Sequence, residues 1–293
     1  MGDPGPPEHR ALVERHLPDV RVESLVTVED GWDSLVLAVN DEWIVRVPRR
    51  PQVQETLATE IALLPELAPT LPVPIPGFDV VVRDEASMLV AYRKLHGEPL
   101  GAPGDVAVAP GVGAFLAALH SFPVARAAEL GLEATDLERW HADYEEFRAW
   151  GRLRAFPLFE AAERKAADEM FEDFFSRSAR GFQLAVVHAD LGPEHVLCQG
   201  PRVTGVIDWG DVRIGDAAID FAWLLHGLSE AFAAQLLAEY ARKGGAVDPD
   251  LAERARFYHR LGPWYELHYG LEFDQPRYVE SGLAAVRARL PRN

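Results

Sequence analysis

Through the N-terminal third of the chain, apolar positions fall in short β-branched runs separated by turn residues; beyond it they recur every three or four positions. Residues 24–28 (SLVTV), 35–39 (LVLAV) and 43–48 (WIVRVP) predict three strands. The turn-rich stretches Glu29-Asp30-Gly31-Trp32-Asp33-Ser34 and Asn40-Asp41-Glu42 between them predict an antiparallel meander. Residues 78–82 and 87–92 predict two further strands, completing five. A short helix is expected over 9–17, ended by Pro18. A longer one is expected over 53–67, where Leu57, Ile61, Leu64 and Leu67 share one side. The proline-rich stretch 69–76 predicts an extended connector. After Gly97 and Pro99 the spacing turns helical, over 112–121, 137–150 and 158–176. Trp140, Tyr144, Phe147 and Trp150 form an aromatic stripe of the kind that faces a core, with acids on the remaining positions.

Two apolar runs break this helical pattern. Ala185-Val186-Val187 leads into His188-Ala189-Asp190, and Val203-Thr204-Gly205-Val206-Ile207 leads into Asp208-Trp209-Gly210-Asp211. Each has strand length and ends on an acid at a turn. His195 follows Asp190 by five places. One loop therefore offers a carboxylate and an imidazole, and the next strand end offers a second carboxylate. A plain hairpin with a polar loop would satisfy the same pattern, and so would a zinc site built from His188, Asp190 and His195. Phosphoryl transfer also needs this inventory: one Asp to accept the proton of an attacking hydroxyl, and neighbouring side chains to hold metal ions on a triphosphate.

Composition narrows the partners. The 293 residues carry a net charge of −17, which argues against nucleic-acid binding and fits a cationic partner. No run approaches the ~18 apolar residues of a membrane span, and MGDPGPPEHR lacks the basic flank and apolar core of a signal peptide. Cys198 is the single cysteine, so no internal disulfide can form. A cytoplasmic monomer is expected.

The ordered pattern His188-x-Asp190, His195, Asp208-Trp209-Gly210 and Gly215-Asp216-Ala217-Ala218-Ile219-Asp220 resembles the aminoglycoside/macrolide phosphotransferase family. These are small-molecule kinases. Histidine at 195, where most of that family has Asn, makes the chain similar to the 2''-aminoglycoside and macrolide kinase branches. The run Tyr92-x-Lys94-Leu95-x-Gly97-x-Pro99-Leu100 resembles the hinge of the same branches, and 261–282 resembles the C-terminal helices of the first.

The resemblance implies an α+β, protein-kinase-like bilobal fold. Its N-terminal nucleotide-binding lobe would cover 1–95, with a five-stranded antiparallel sheet plus helix. The larger, mainly helical lobe would cover 96–293, with the catalytic loop and substrate cleft. It implies that Asp190 is the catalytic residue and that His195 and Asp208 hold Mg²⁺. Arg46, set by Glu60 rather than Glu55, would clamp the phosphates of ATP or GTP. The turn around Gly31, with Ser34, would lie over those phosphates, a weak match with one glycine. Backbone groups of Ala91, Tyr92 and Arg93 would read the base. Asp220 would hold the backbone of the catalytic loop. Asp211, Glu266 and Tyr269 are the candidate contacts to a cationic small-molecule substrate, an aminoglycoside first and a macrolide next; a salt bridge to Arg213 is the other reading of Asp211. A kinase of an ordinary metabolite, such as an amino alcohol or sugar, and a non-catalytic nucleotide-binding relative are the alternatives.

Overall fold

The structure, a computed structural model, describes residues 6–30, 34–83, 88–102 and 104–291. The turn residues Gly31, Trp32 and Asp33 and the predicted strand start at Ser87 lie outside the described residues. The N-terminal part comprises helix α1 (Pro7–His16), strands β1 (Leu25–Asp30), β2 (Ser34–Val39) and β3 (Trp43–Pro48), helix α2 (Pro51–Leu67), and strands β4 (Phe78–Arg83) and β5 (Met88–Arg93). The five strands form one antiparallel sheet in the order β1-β2-β3-β5-β4, so the last strand in sequence inserts beside β3 and leaves β4 at the edge.

Alternation along β3 and β5 explains the two faces of this sheet. Trp43, Val45, Leu89 and Ala91 join Leu35, Leu37 and Val39 under Val13 and Leu17 of the α1 segment. Met88 and Val90 turn the other way, against Leu57 of α2. Each fully buried leucine contributes about 1.5–3 kcal/mol. Arg46 lies on the α2 face, where the same alternation holds a polar side chain against a helix. Leu63, Leu64 and Leu67, further along α2, pack into the C-terminal core, so this helix ties the sheet to the rest of the molecule.

The C-terminal part begins with β6 (Glu98–Pro99) and continues with α3 (Ala109–His120), α4 (Val124–Glu129), α5 (Leu137–Trp150) and α6 (Ala161–Ser178). Between α5 and α6 the chain widens into a π-helical turn, Gly151–Ala155, then tightens into a 3₁₀ turn, Phe156–Leu158, so the predicted helix start at 158 moves to Ala161. Then follow β7 (Leu184–Val187), β8 (Val196–Gln199), β9 (Arg202–Val206), β10 (Arg213–Asp216), α7 (Ala222–His226), α8 (Glu230–Arg242), α9 (Leu251–Glu272) and α10 (Pro276–Arg289). The aromatic stripe of α5 packs as its spacing predicts: Trp140 and Tyr144 are 4 % exposed.

The two acid-ended strands are not one hairpin. β9 pairs with β8, which pairs with β6, whereas β7 pairs with β10. Val187 stands opposite Arg213, so the loop leaving β7 and the loop entering β10 share a base. That pairing brings residues 188–195 against 207–212. Among the described residues no helix is long and apolar enough to cross a membrane.

Candidate active site

The loop from β7 to β8 is held from behind. Asp220, fully buried, accepts the backbone N–H groups of His188 at 2.9 Å and Ala189 at 2.7 Å. His120 Nε2 lies 3.1 Å from the same carboxylate, and its Nδ1 lies 3.0 Å from the Tyr240 hydroxyl. A carboxylate can only accept, so Nε2 carries the proton and Nδ1 accepts from Tyr240. This brace fixes a strained turn: Ala189 has φ +68°, a region that side chains bearing a Cβ seldom adopt. Asp220 belongs to the motif legible in the sequence; His120, 100 positions earlier, lies outside it.

His188 is also structural. Its Nε2–H donates to the Ile207 carbonyl at 3.0 Å, stitching the two acid loops together. Burial pulls its pKa down and keeps it neutral, and its ring lies 4.8 Å from that of Trp209, itself fully buried. Trp209 anchors the second loop by donating Nε1–H to the Val206 carbonyl at 3.0 Å. On either side of this anchor the chain exposes Asp208, at φ +66°, and Asp211.

These anchors bring Asp190, His195 and Asp208 together, with one ligand atom from each lying within 4.8 Å of the others. His195 Nδ1–H donates to the Asp190 carbonyl at 2.7 Å, which fixes the tautomer and leaves a lone pair on Nε2. That Nε2 is 3.5 Å from Asp208 Oδ2. Burial pushes the Asp190 carboxyl up to about 6; His195 opposes the shift, while Asp211, Asp208 and Glu194 add to it. Two carboxylates and an imidazole lone pair are a donor set that fits a divalent cation, with the oxygens suited to Mg²⁺ and the nitrogen tolerated by it.

Above this cluster, Arg46 donates to Glu60 twice, at 2.7 and 3.2 Å. Glu60 is 1 % exposed and the Arg46 side chain 15 %. Burial alone would pull the Arg46 pKa down, but the charge and hydrogen bonds of Glu60 hold it above its ordinary value. Tyr92 is buried on the same sheet face, and burial pushes its phenol up to about 12, against the pull of Arg46. Arg46, Glu60 and Tyr92 all respond to the charge of Asp208, which places this face of the sheet within electrostatic reach of the acid cluster.

Other predicted residues are distributed differently. Ser34 is 8 % exposed at the start of β2, opposite Pro48. Ala91 and Tyr92 stand opposite both β3 and β4, with a break in the β4 register between Phe78 and Val80 beside them; Arg93 N–H donates to Asp79. The Lys94 N–H is also taken, by the Glu42 carbonyl at 2.8 Å. Asp211 makes no ion pair with Arg213 among the described residues; burial would pull the Arg213 pKa down, but Tyr144, Tyr265 and Asp211 hold it above its ordinary value. Glu266 accepts from Ser281 of α10 at 2.6 Å, and the Tyr269 ring packs 5.2 Å from Tyr278 of the same helix. The structure thus turns both toward α10. Tyr265, one turn before Tyr269, is instead 46 % exposed beside Asp211 and Arg213, and its ring lies 5.1 Å from that of Phe147. Neither Tyr265 nor Arg213 was singled out in the sequence as a site residue.

A five-stranded sheet bearing a buried Arg–Glu pair, set over a helical lobe with this acid cluster, is the architecture of a protein-kinase-like phosphotransferase. The chain belongs to the phosphotransferase enzyme family, whose profile matches residues 24–258. It is 29 % identical over 262 residues to viomycin phosphotransferase of Streptomyces vinaceus, covering 84 % of this chain and 86 % of that one. It is 25 % identical over 295 residues to the YcbJ protein of Bacillus subtilis (strain 168), covering 91 % of each. Among solved structures it resembles the GDP and kanamycin complex of an aminoglycoside 2''-phosphotransferase, with a TM-score of 0.85, 25 % identity, and 96 % of this chain and 98 % of that one covered. The macrolide 2'-phosphotransferase of Brachybacterium faecium gives a TM-score of 0.78 at 26 % identity, with 97 % and 99 % covered.

Proposed function

We propose that the protein transfers the γ-phosphoryl group of ATP or GTP to a hydroxyl of a small, amine-bearing acceptor. Residues up to about 95 form the nucleotide lobe and those from 96 onward form the acceptor lobe. The observation that carries this reading is the Asp190–His195–Asp208 cluster within electrostatic reach of the Arg46–Glu60 pair. Asp190 orients the acceptor hydroxyl and takes its proton, a role that suits a carboxylate tuned to about 6. His195 and Asp208 would hold Mg²⁺, which when bound neutralises the triphosphate. Arg46, kept cationic and oriented by Glu60, binds phosphate oxygens through its planar guanidinium. Asp220 and His120 hold the loop that positions Asp190. Little covalent work falls to the protein, so orientation and fixed charge supply most of the rate.

The acceptor class follows from charge and from the relatives. Exposed Asp211 and the strongly acidic chain favour an ammonium-bearing molecule, and relatives named for viomycin, kanamycin and macrolides support an antibiotic-type acceptor. The test is nucleoside diphosphate release with Mg²⁺ and either ATP or GTP, over aminoglycosides, macrolides, peptide antibiotics and amino alcohols. Acceptor-dependent release supports the proposal and names the nucleotide. Nucleotide binding with no release across all acceptors would instead support a non-catalytic binding protein.

A further inference from the structure

Arg213 opens β10 directly opposite Val187, the last strand residue before the catalytic loop, and two residues beyond Asp211. It is solvent-exposed and forms no ion pair among the described residues, in a chain with 46 acidic residues against 29 Lys and Arg. Its surroundings are not those of an ordinary surface arginine. The guanidinium lies 5.2 Å from the ring of Trp140. Trp140 is locked in place: Gly215, on the same face of β10, presses so closely on its ring that a Cβ there would sit 2.5 Å away. Trp140 also donates Nε1–H to Tyr258 at 3.0 Å, and Tyr258 donates to Asp216 at 3.1 Å.

Two phenols complete the surroundings. Tyr144 packs against Trp140 with ring centroids 5.4 Å apart and is 4 % exposed. Its hydroxyl makes no well-formed hydrogen bond among the described residues, and the Tyr265 hydroxyl lies beside it. A ligand oxygen reaching a hydroxyl this poorly paired would gain a hydrogen bond at little desolvation cost. Burial and nearby Tyr265 push the Tyr144 pKa up, and Arg213 opposes them. Tyr265 lies on the solvent side of the same group.

The geometry points to Arg213, with the hydroxyls of Tyr144 and Tyr265, as a subsite for a carboxylate of the acceptor. This rests on reading the cleft beside Asp190 as the acceptor site of the kinase, and within the amine-bearing acceptors it favours a small zwitterion over the polycationic antibiotics. Its ammonium meets Asp211, its hydroxyl meets Asp190, and its carboxylate meets Arg213. A guanidinium presents paired N–H groups that match two carboxylate oxygens, and a phenol adds a neutral donor. The indole face beneath keeps the guanidinium in place without neutralising it.

The probes are L-homoserine, which carries all three groups, and aminopropanol, its decarboxylated analogue. Saturation-transfer NMR on the full-length chain with Mg²⁺ and GDP or ADP measures binding; diphosphate release with ATP or GTP measures turnover separately. Wild type is expected to bind L-homoserine at least tenfold more tightly than aminopropanol. Arg213→Met should erase that difference and Arg213→Lys should restore part of it, with unchanged unfolding midpoints. Arg213→Glu should bind kanamycin at least tenfold more tightly than wild type does, since a repelling charge becomes an attracting one. Equal binding of the two small probes, no binding of either, or an Arg213→Met variant that keeps its preference for L-homoserine overturns the subsite. Selective binding without turnover of any acceptor would uphold the subsite and count against the kinase reading. Turnover of amine acceptors indifferent to Arg213 would do the reverse.

Discussion

His195 and Asp208 come from different loops, yet the lone pair on His195 Nε2 faces Asp208 Oδ2 at 3.5 Å because Nδ1–H is tied to the Asp190 carbonyl. One hydrogen bond therefore sets both the tautomer and the direction of the imidazole. Replacing His195 by Ala should cut phosphoryl transfer by at least about 10–100-fold, the loss usual when only an outer partner of a metal ligand is removed. His195→Asn, which offers an oxygen, should retain more activity with Mg²⁺ than His195→Ala. Wild type should gain relatively more from Mn²⁺ than the Asn variant does, because imidazole suits a softer ion. Diphosphate release titrated with each metal checks both points.

The Arg46–Glu60 pair is bidentate and nearly closed to solvent. Removing one member leaves the other charged and buried, which costs about 3–5 kcal/mol. Glu60→Ala should therefore lower the unfolding midpoint in denaturant and also raise the nucleotide KM. Arg46→Lys should keep more stability than Glu60→Ala but lose nucleotide affinity, since a point charge cannot replace the fork. Denaturation curves and nucleotide titrations separate the two effects.

Asp190 gives a pH signature with a definite sign. Its carboxyl is raised from 3.8 to about 6, so the folded protein holds that proton more tightly than the unfolded chain. Stability from this group is complete below about pH 4 and is lost as pH rises through about 6. Asp190→Asn should accordingly unfold at a higher temperature than wild type at pH 8, with the advantage fading below pH 4. Activity runs the opposite way. The base must be ionised, so kcat/KM of wild type should fall roughly tenfold per pH unit below about pH 6.

The brace behind the loop predicts a different phenotype. Asp220→Asn presents an NH₂ group to one of two buried backbone donors, so one is left unpaired at a cost of about 1–3 kcal/mol. Ala189 then loses the contact that offsets its left-handed backbone. The expected result is a lower unfolding midpoint and a reduced kcat, with nucleotide affinity nearly unchanged, because Arg46 and its partner lie on other elements.

The residues that were legible in the sequence are those fixed by local order. β1 to β3 follow from β-branched alternation and turn residues, and Asp190, His195 and Asp208 follow from their spacing and the resemblance it carries. Arg46 shows itself as a charge inside an apolar strand. What depends on three-dimensional neighbours was hidden. Ala91 and Tyr92 fall in a predicted strand, but its insertion between β3 and β4, which flanks them on both sides, is a matter of strand order that no local pattern specifies. The exact rotation of α9 was also hidden, because Phe257, Tyr258, Leu261, Trp264 and Leu267 spread over half the helix circumference, with Pro263 inside the helix. Only the docking of α10 shows that Glu266 and Tyr269 turn toward it while Tyr265 faces the cleft. Arg213 has the identity of a common surface residue; its setting over Trp140 is a tertiary fact.

The most direct test of the central claim is acceptor-dependent diphosphate release by wild type and Asp190→Asn, assayed side by side with Mg²⁺ and the preferred nucleotide. Nucleotide binding is measured on the same samples. The account predicts that both proteins bind nucleotide comparably and that release falls by at least about a hundredfold in the variant. An Asp190→Asn protein that releases diphosphate at the wild-type rate, with the same dependence on acceptor, would contradict it.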